Sequence, residues 1–313
     1  MGDMNEKKRR LEELTGTLGR AARAYYQEDR EIMTNREYDD LYDELERLEK
    51  ELGIIMAGSP TVKVGYEVVS ELPKERHPEP MLSLDKTKDV EVLKSWIGIR
   101  EGLLSWKLDG LTIVLTYEDG ELVKAVTRGD GTTGEVITNN ARMFDNIPLH
   151  IPEKGRVVLR GEAVISYADF EEINRMIGDA DARYKNPRNL CSGTVRQLNN
   201  EITSGRHVRF YAFSLAQSNR EFEYRHQQLG WLEELGFETV EYVTVDMDSI
   251  EDAVAGFERK IKDFPLPSDG LVLIFDDIEY GRSLGRTAKF PRDSIAFKWK
   301  DEVRETHVKE MIW

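Results

Sequence analysis

The chain has 313 residues, 40% hydrophobic and 33% charged, enough to bury a sizeable core and to form more than one small domain. Its formal net charge of −15 argues against broad attraction to polyanions, so any nucleic-acid contact must come from local basic clusters. A single cysteine, Cys191, excludes an internal disulfide and a multi-cysteine zinc cluster, and reads as a small buried residue.

At the N-terminus, Met1-Gly2-Asp3-Met4-Asn5-Glu6-Lys7 lacks the apolar core of a signal peptide, and no later run approaches the ~18 apolar residues of a membrane helix. A place in the cytoplasm is the expectation. Leu11, Leu14, Leu18, Ala22 and Tyr25 recur at helical steps and predict an amphipathic helix over roughly residues 5–28. Tyr38, Leu41, Tyr42, Leu45, Leu48 and Leu52 predict a second over Glu37–Gly53, with Gly53 as its stop. The two form a helical hairpin, and by periodicity alone Tyr25, Tyr26, Tyr38 and Tyr42 are aromatic packing between its helices.

Residues 54–85 are broken by Gly58-Ser59-Pro60, Pro73 and His77-Pro78-Glu79-Pro80, and read as a domain boundary. A short helix near residues 89–97 leads to Ser105-Trp106-Lys107-Leu108-Asp109-Gly110. Strands over Leu111–Tyr117 and Glu121–Thr127 then flank Asp119-Gly120, a strong hairpin signal, so Lys107 sits directly before a rigid hairpin. Further strands are predicted over 156–166 and around 208–215, 239–245, 270–275 and 295–300, with helices over 167–177, 187–198, 224–235 and 249–262. The class is α+β, with antiparallel sheets and no repeats. The last residues, from Thr306 to Trp313, read as a strand opening a further domain that is cut short.

The chemistry centres on Lys107. On a strand it shares a face with Asp109, because side chains alternate with period two. A free lysine, with a pKa of ~10.4, is protonated at neutral pH and must be depressed by desolvation or nearby cations before it can attack. Lys298, in the apolar strand Ile295-Ala296-Phe297-Lys298-Trp299, and Arg128, after the hairpin, are candidate cations; Glu162 is an acid inside an apolar strand. Singly each reads as the polar face of a half-exposed strand or as an ion-pair partner. Together with the turn Arg128-Gly129-Asp130-Gly131-Thr132-Thr133-Gly134 they suit attack on a phosphate, which needs charge neutralisation and in-line positioning.

Lys107-Leu108-Asp109-Gly110 matches the K-x-D-G motif of covalent nucleotidyltransferases. Thr127 to Gly134, Ser59-Pro60-Thr61, Pro80-Met81-Leu82-Ser83-Leu84, Arg160-Gly161-Glu162, Asn186-Pro187-Arg188-Asn189, Arg196-Gln197-Leu198, Asp269-Gly270 and Ala296-Phe297-Lys298 follow in family order. This set resembles the adenylation domain of NAD-dependent bacterial DNA ligases across essentially the whole chain. Tyr25 with Glu37-Tyr38-Asp39 resembles the N-terminal module peculiar to that family, which holds the nicotinamide mononucleotide half of NAD.

The resemblance implies a DNA-ligase-type nucleotidyltransferase fold, unrelated to ATP-grasp, of antiparallel sheets flanked by helices behind the helical hairpin. It implies a helical module over 1–65, an adenylation domain over 66–302, and the start of an oligonucleotide-binding domain over 303–313. Lys107 would attack the adenylyl phosphorus of NAD to give lysyl-AMP, with Lys298 and magnesium neutralising the phosphate and Asp109 orienting the lysine. Glu162 would take the ribose, Arg128 ribose or phosphate, and Phe213 the adenine face, with Ser83, Leu84, Ser105 and Ile274 completing the adenine side. Tyr25, Tyr26, Asn35, Tyr38 and Asp39 would serve the nicotinamide half, leaving Tyr42 in the helix packing. Arg188 and Arg196 resemble arginines that meet the phosphates of nicked double-stranded DNA, a partner held mainly by domains beyond this stretch. The chain is expected to be a monomer.

Four positions depart from the family pattern. Ser105 stands where glutamate is usual, Ile274 for lysine, Tyr26 for histidine and Asn35 for aspartate. Loss of the acid and the lysine together removes a pair and leaves no orphan charge. Two other readings remain open: a nucleotidyltransferase using ATP or an RNA or protein acceptor, and a non-catalytic paralogue that binds NAD or DNA.

Overall fold

The computed structural model describes residues 2–28, 32–57, 59–61, 71–178 and 183–299. Helices α1 (Gly2–Glu28) and α2 (Asn35–Leu52) form the expected hairpin. Leu11, Leu14, Leu18, Leu45 and Leu48 bury its seam against Ile54 and Met56. Arg10 closes it with a forked pair to Glu44, Nε to Oε1 at 2.9 Å and Nη2 to Oε2 at 2.8 Å. Thr34 caps α2, its hydroxyl accepting from the Glu37 N–H at 3.2 Å while the Glu37 carboxylate accepts from the Thr34 N–H at 2.8 Å.

The chain continues through β1 (Ile55–Met56), β2 (Lys74–Arg76), β3 (Asp85–Thr87), α3 (Val90–Ile97), β4 (Gly102–Leu108), β5 (Leu111–Glu118), β6 (Glu121–Thr127), β7 (Thr133–Glu135), α4 (Thr138–Ala141) and β8 (Pro148–His150). Then come β9 (Arg156–Val164), α5 (Tyr167–Met176), α6 (Pro187–Val195), α7 (Asn200–Ser204), β10 (Arg209–Gln217), α8 (Arg225–Glu234), β11 (Tyr242–Val245), α9 (Ile250–Lys260), β12 (Ser268–Phe275), α10 (Ile278–Leu284) and β13 (Ser294–Phe297). A six-stranded sheet has the order β1-β8-β6-β5-β9-β10, a five-stranded sheet β11-β4-β12-β13-β3, and β2 pairs with β7. Pairing is antiparallel throughout these sheets except between β13 and β3.

Two cores follow from strand alternation. Ile113, Leu115, Tyr117, Leu159 and Phe210 cover one face of the larger sheet and pack against α6 and α8. Leu104, Trp106, Leu271, Leu273 and Phe275 cover one face of the smaller sheet against Leu93 and Ile97 of α3 and Val254 and Phe257 of α9. Trp106 stacks on Phe264 at 4.2 Å and its Nε1 donates to Glu241 at 2.9 Å. Cys191 is buried, with its thiol against the Ala163 carbonyl at 3.2 Å.

The long elements lie where hydrophobic periodicity predicts them. Short ones such as β1, β2, β3, β7, β8, α4 and α7 escape it, because two to five residues cannot establish a period. The larger difference concerns Lys107. Its strand directly precedes the hairpin, as expected, yet β4 belongs to the five-stranded sheet and β5 and β6 to the six-stranded one. The chain crosses between sheets at Asp109-Gly110. Residues 303–313 lie outside the described residues, and among the described residues no helix is long and apolar enough to cross a membrane.

Candidate active site

In β4, Leu104, Trp106 and Leu108 point into the core beneath the five-stranded sheet, so Ser105 and Lys107 occupy the opposite face. In β12, Leu271, Leu273 and Phe275 point into the same core, and strict alternation would bury Asp269 with them. A bulge prevents this. Ser268 pairs with Leu108 and Leu271 with Trp106, three steps on β12 against two on β4. Gly270 makes the bulge possible: its φ is 148°, and a Cβ there would lie 2.1 Å from the Phe297 carbonyl oxygen.

Asp269 is thereby turned to Lys107 and also reaches Lys298, just past β13. Its Oδ1 lies 2.8 Å from Lys107 Nζ and its Oδ2 2.7 Å from Lys298 Nζ. Burial works to raise the Asp269 carboxyl, but the two lysines outweigh it and hold it below the ordinary carboxylate value. One carboxylate therefore holds both the nucleophile candidate and the candidate cation Lys298.

Across from this bridge, Glu162 of β9 stands in register with Thr112 of β5 and Tyr211 of β10. It accepts from Thr112 Oγ1 at 2.8 Å and from the Gly110 N–H at 3.1 Å. Desolvation pushes its carboxyl up to about 7, against the hydrogen bonds from Thr112 and Gly110 and the charges of Lys107 and Arg188. A carboxyl raised on folding binds its proton more tightly in the native state, so its contribution to stability falls as pH rises from about 4.5 to about 7. Glu162→Gln should flatten this slope, changing the difference in unfolding free energy between pH 5 and 7.5 by on the order of 2 kcal/mol, as read from urea midpoints.

Asp109 does not meet Lys107. It lies past the end of β4, where alternation stops, and its Oδ1 takes Arg188 Nη1 at 2.6 Å. Arg188 sits in the first turn of α6, behind the Asn186 cap and Pro187. Arg196, at the other end of α6, faces Glu135, with Nε 3.4 Å from Oε1. Arg128 donates to the Met81 carbonyl at 3.3 Å and to Ser83 Oγ at 3.2 Å, and buried His77 sets its Nε2 3.1 Å from the Thr127 carbonyl oxygen. The turn after β6 and the stretch leading to Ser83 and Leu84 are thus stitched together.

Ser105 opposes Val272, and Ile274 opposes Leu103, so Ser105 and Ile274 are diagonal neighbours on the face of Lys107. An acid and a lysine at these two positions would be within reach of each other, in keeping with their joint loss. Phe213 is 39% exposed, at an irregularity of β10 where Ala212 pairs with Gly161 and Ser214 with Arg160.

In the hairpin, Tyr38 and Tyr42 are both half-buried against the leucine seam and stack at 6.2 Å, so the packing does not separate them; Asp39 is exposed. The side chains of Tyr25, Tyr26 and Asn35 lie outside the described residues. Anchors at the other end of the hairpin hold it to the larger sheet. Lys8 donates to the Glu233 and Glu234 carbonyls at 3.2 and 2.6 Å, and β1 pairs with β8.

Sequence reasoning quotes Asp269 only as part of a motif and misses its place between two lysines. The available signal was a glycine inside an apolar strand, which marks a bulge. Thr112 carried no signal before β5 and β9 were known to pair.

The family described as NAD-dependent DNA ligase adenylation domain matches residues 69–302, and the N-terminal NAD+-binding domain of DNA-ligase-like proteins matches residues 4–65. A DNA ligase of Lachnoclostridium phytofermentans is 61% identical over 312 residues, covering 99% of this chain and 48% of that protein. One of Ruminiclostridium cellulolyticum is 60% identical over 298 residues, covering 95% of this chain and 45% of that protein. The chain spans about half the length of the curated relatives it matches. With residues 69–302, Lys107 among them, matched by that family, the chain belongs to the NAD-dependent DNA ligase adenylation domain family, preceded by an N-terminal NAD+-binding domain.

Proposed function

We propose that this chain adenylates itself from NAD at Lys107, and that the whole ligase passes the AMP to the 5′-phosphate of a DNA nick. The observation that carries this is the bridge from Lys107 through Asp269 to Lys298, facing Glu162 across the two sheets. The Nζ lone pair forms a P–N bond to the adenylyl phosphorus as the P–O bond to nicotinamide mononucleotide breaks and the mononucleotide leaves. Nζ must first shed a proton to water, and Asp269 Oδ1, at 2.8 Å, holds the amine in place. Lys298, on the other oxygen of Asp269, is placed to neutralise the phosphate oxygens.

Among the described residues no group of three or more His, Cys, Asp or Glu side chains could hold a metal ion. Magnesium needs no such cage, because one or two carboxylates, substrate phosphates and waters suffice. Asp269 would hold it beside the phosphate, and when bound it would supply charge neutralisation there.

In this proposal residues 1–65 take the nicotinamide half through Tyr25, Tyr26, Asn35, Tyr38 and Asp39, and residues 66–302 take the adenylyl half. Glu162 receives the ribose, Phe213 stacks on adenine beside Ser83, Leu84, Ser105 and Ile274, and Arg128 holds ribose or phosphate. Arg188 and Arg196 face the nick phosphates, with Arg188 released from Asp109. The protein acts as a monomer in the cytoplasm.

Incubation with NAD and magnesium should add one AMP to the intact mass, with the modified peptide containing Lys107. An adduct with ATP but none with NAD would move the donor to ATP, and tight NAD binding without release of mononucleotide would leave a non-catalytic binder.

A further inference from the structure

Arg160 lies on β9 two residues before Glu162, so both project from the same face of the six-stranded sheet. In register, Glu162 is flanked by Thr112 and Tyr211, and Arg160 by Val114 and Ser214, with Phe213 at the irregularity just beside it. The Arg160 Nε is buried and has no acceptor, and no hydrogen bond from its guanidinium is made among the described residues. The charge it feels is that of Glu79, an exposed residue just before Pro80. A guanidinium carries five donors and no acceptor, and leaving a buried one of them, here the Nε, unpaired is costly. Such a group is retained where a ligand brings the acceptor.

The face has a direction. Glu162 feels the charges of Lys107 and Arg188, whereas Arg160 feels Glu79 and lies further along the strand from the nucleophile. A nucleotide with its phosphate at Lys107 and its ribose at Glu162 lays its base over the far end, against exposed Phe213 and the unpaired guanidinium. We propose that Arg160 is a binding residue for the purine of the dinucleotide, donating to a ring nitrogen while the ring lies on Phe213. The proposal deepens, and rests on, the self-adenylation at Lys107 proposed above.

The test compares Arg160→Met, Arg160→Lys and Glu79→Gln with the parent 313-residue chain in single-turnover adenylation over a range of NAD concentrations. Methionine keeps the packing and drops the donors. Arg160→Met should raise the NAD concentration for half-maximal rate by about tenfold or more, leave the saturated rate within about threefold, and be partly rescued by lysine. Without NAD its thermal midpoint should equal or exceed the parent's, because a buried unpaired Nε is gone and no hydrogen bond is lost with it, while the upward shift caused by NAD shrinks.

An unchanged half-saturation would overturn the proposal. So would a midpoint several degrees lower without NAD, which marks a structural arginine, or the same rise in Glu79→Gln, which marks a loop-holding pair. If the parent forms no adduct, the proposal for Lys107 fails, and the NAD-dependent thermal shift of Arg160→Met against the parent still decides the role of Arg160.

Discussion

Lys107→Arg is expected to fold like the parent and to take up no AMP. Arginine keeps the positive charge and the length to reach Asp269, whose two oxygens lie 2.8 and 2.7 Å from the two lysines, so the ion bridge survives. What it loses is the neutral amine, since a guanidinium does not give up its proton in a protein. Lys107 is partly exposed, and exposed pairs contribute about 0–1 kcal/mol, so the thermal midpoint should move by only a few degrees. Adduct formation should fall below about one-thousandth of the parent rate, measured by intact mass under saturating NAD. An adduct that persisted would have to sit on another nucleophile, and peptide mapping would test Lys298 first.

Gly110→Ala acts on the fold instead. A Cβ at this position would lie 1.9 Å from the Ala163 carbonyl oxygen and 2.7 Å from Val164 Cγ1. The obstacle is the backbone of β9, fixed on both sides by β5 and β10, so no flexible side chain can swing aside. We expect a loss of about 3–5 kcal/mol, seen as a lower urea midpoint. Molecules that remain folded should adenylate poorly as well, because the Gly110 N–H is one of the donors that hold Glu162. Gly230→Ala is the control. Gly230 lies within α8, an added methyl would meet nothing within 4 Å, and the substitution should be neutral or stabilise by up to about 1 kcal/mol.

The sequence made Lys107 legible because a lysine, an aspartate and a glycine at that spacing stand out from an apolar run. Glu162 and Lys298 were legible for the same reason, as charges inside strands. Sheet membership was not. Only Asp109 and Gly110 separate β4 from β5, and neighbours so close in sequence ordinarily share a sheet. The place of Asp269 between two lysines was hidden by the bulge, since period two assigns it to the core beside Leu271 and Leu273. The partner of Asp109 was hidden for the converse reason: alternation extended past Leu108 sets it beside Lys107, whereas the strand has ended there and Arg188 takes the carboxylate. Arg160 read as one letter of a motif until the register of β9 with β10 placed it beside Phe213.

The crossing at Asp109-Gly110 also puts Lys107 at a fulcrum. If the two sheets tilt about that point, each atom sweeps an arc proportional to its distance from it. Phe213 stands on β10, two strands beyond β5, or about 10 Å away at the usual strand spacing. A tilt of about 10° would carry it roughly 2 Å, while Lys107, close beside the crossing, hardly travels. If Lys107 and Phe213 have the roles proposed above, such a tilt would loosen the base end of the site and leave the attacking end in place.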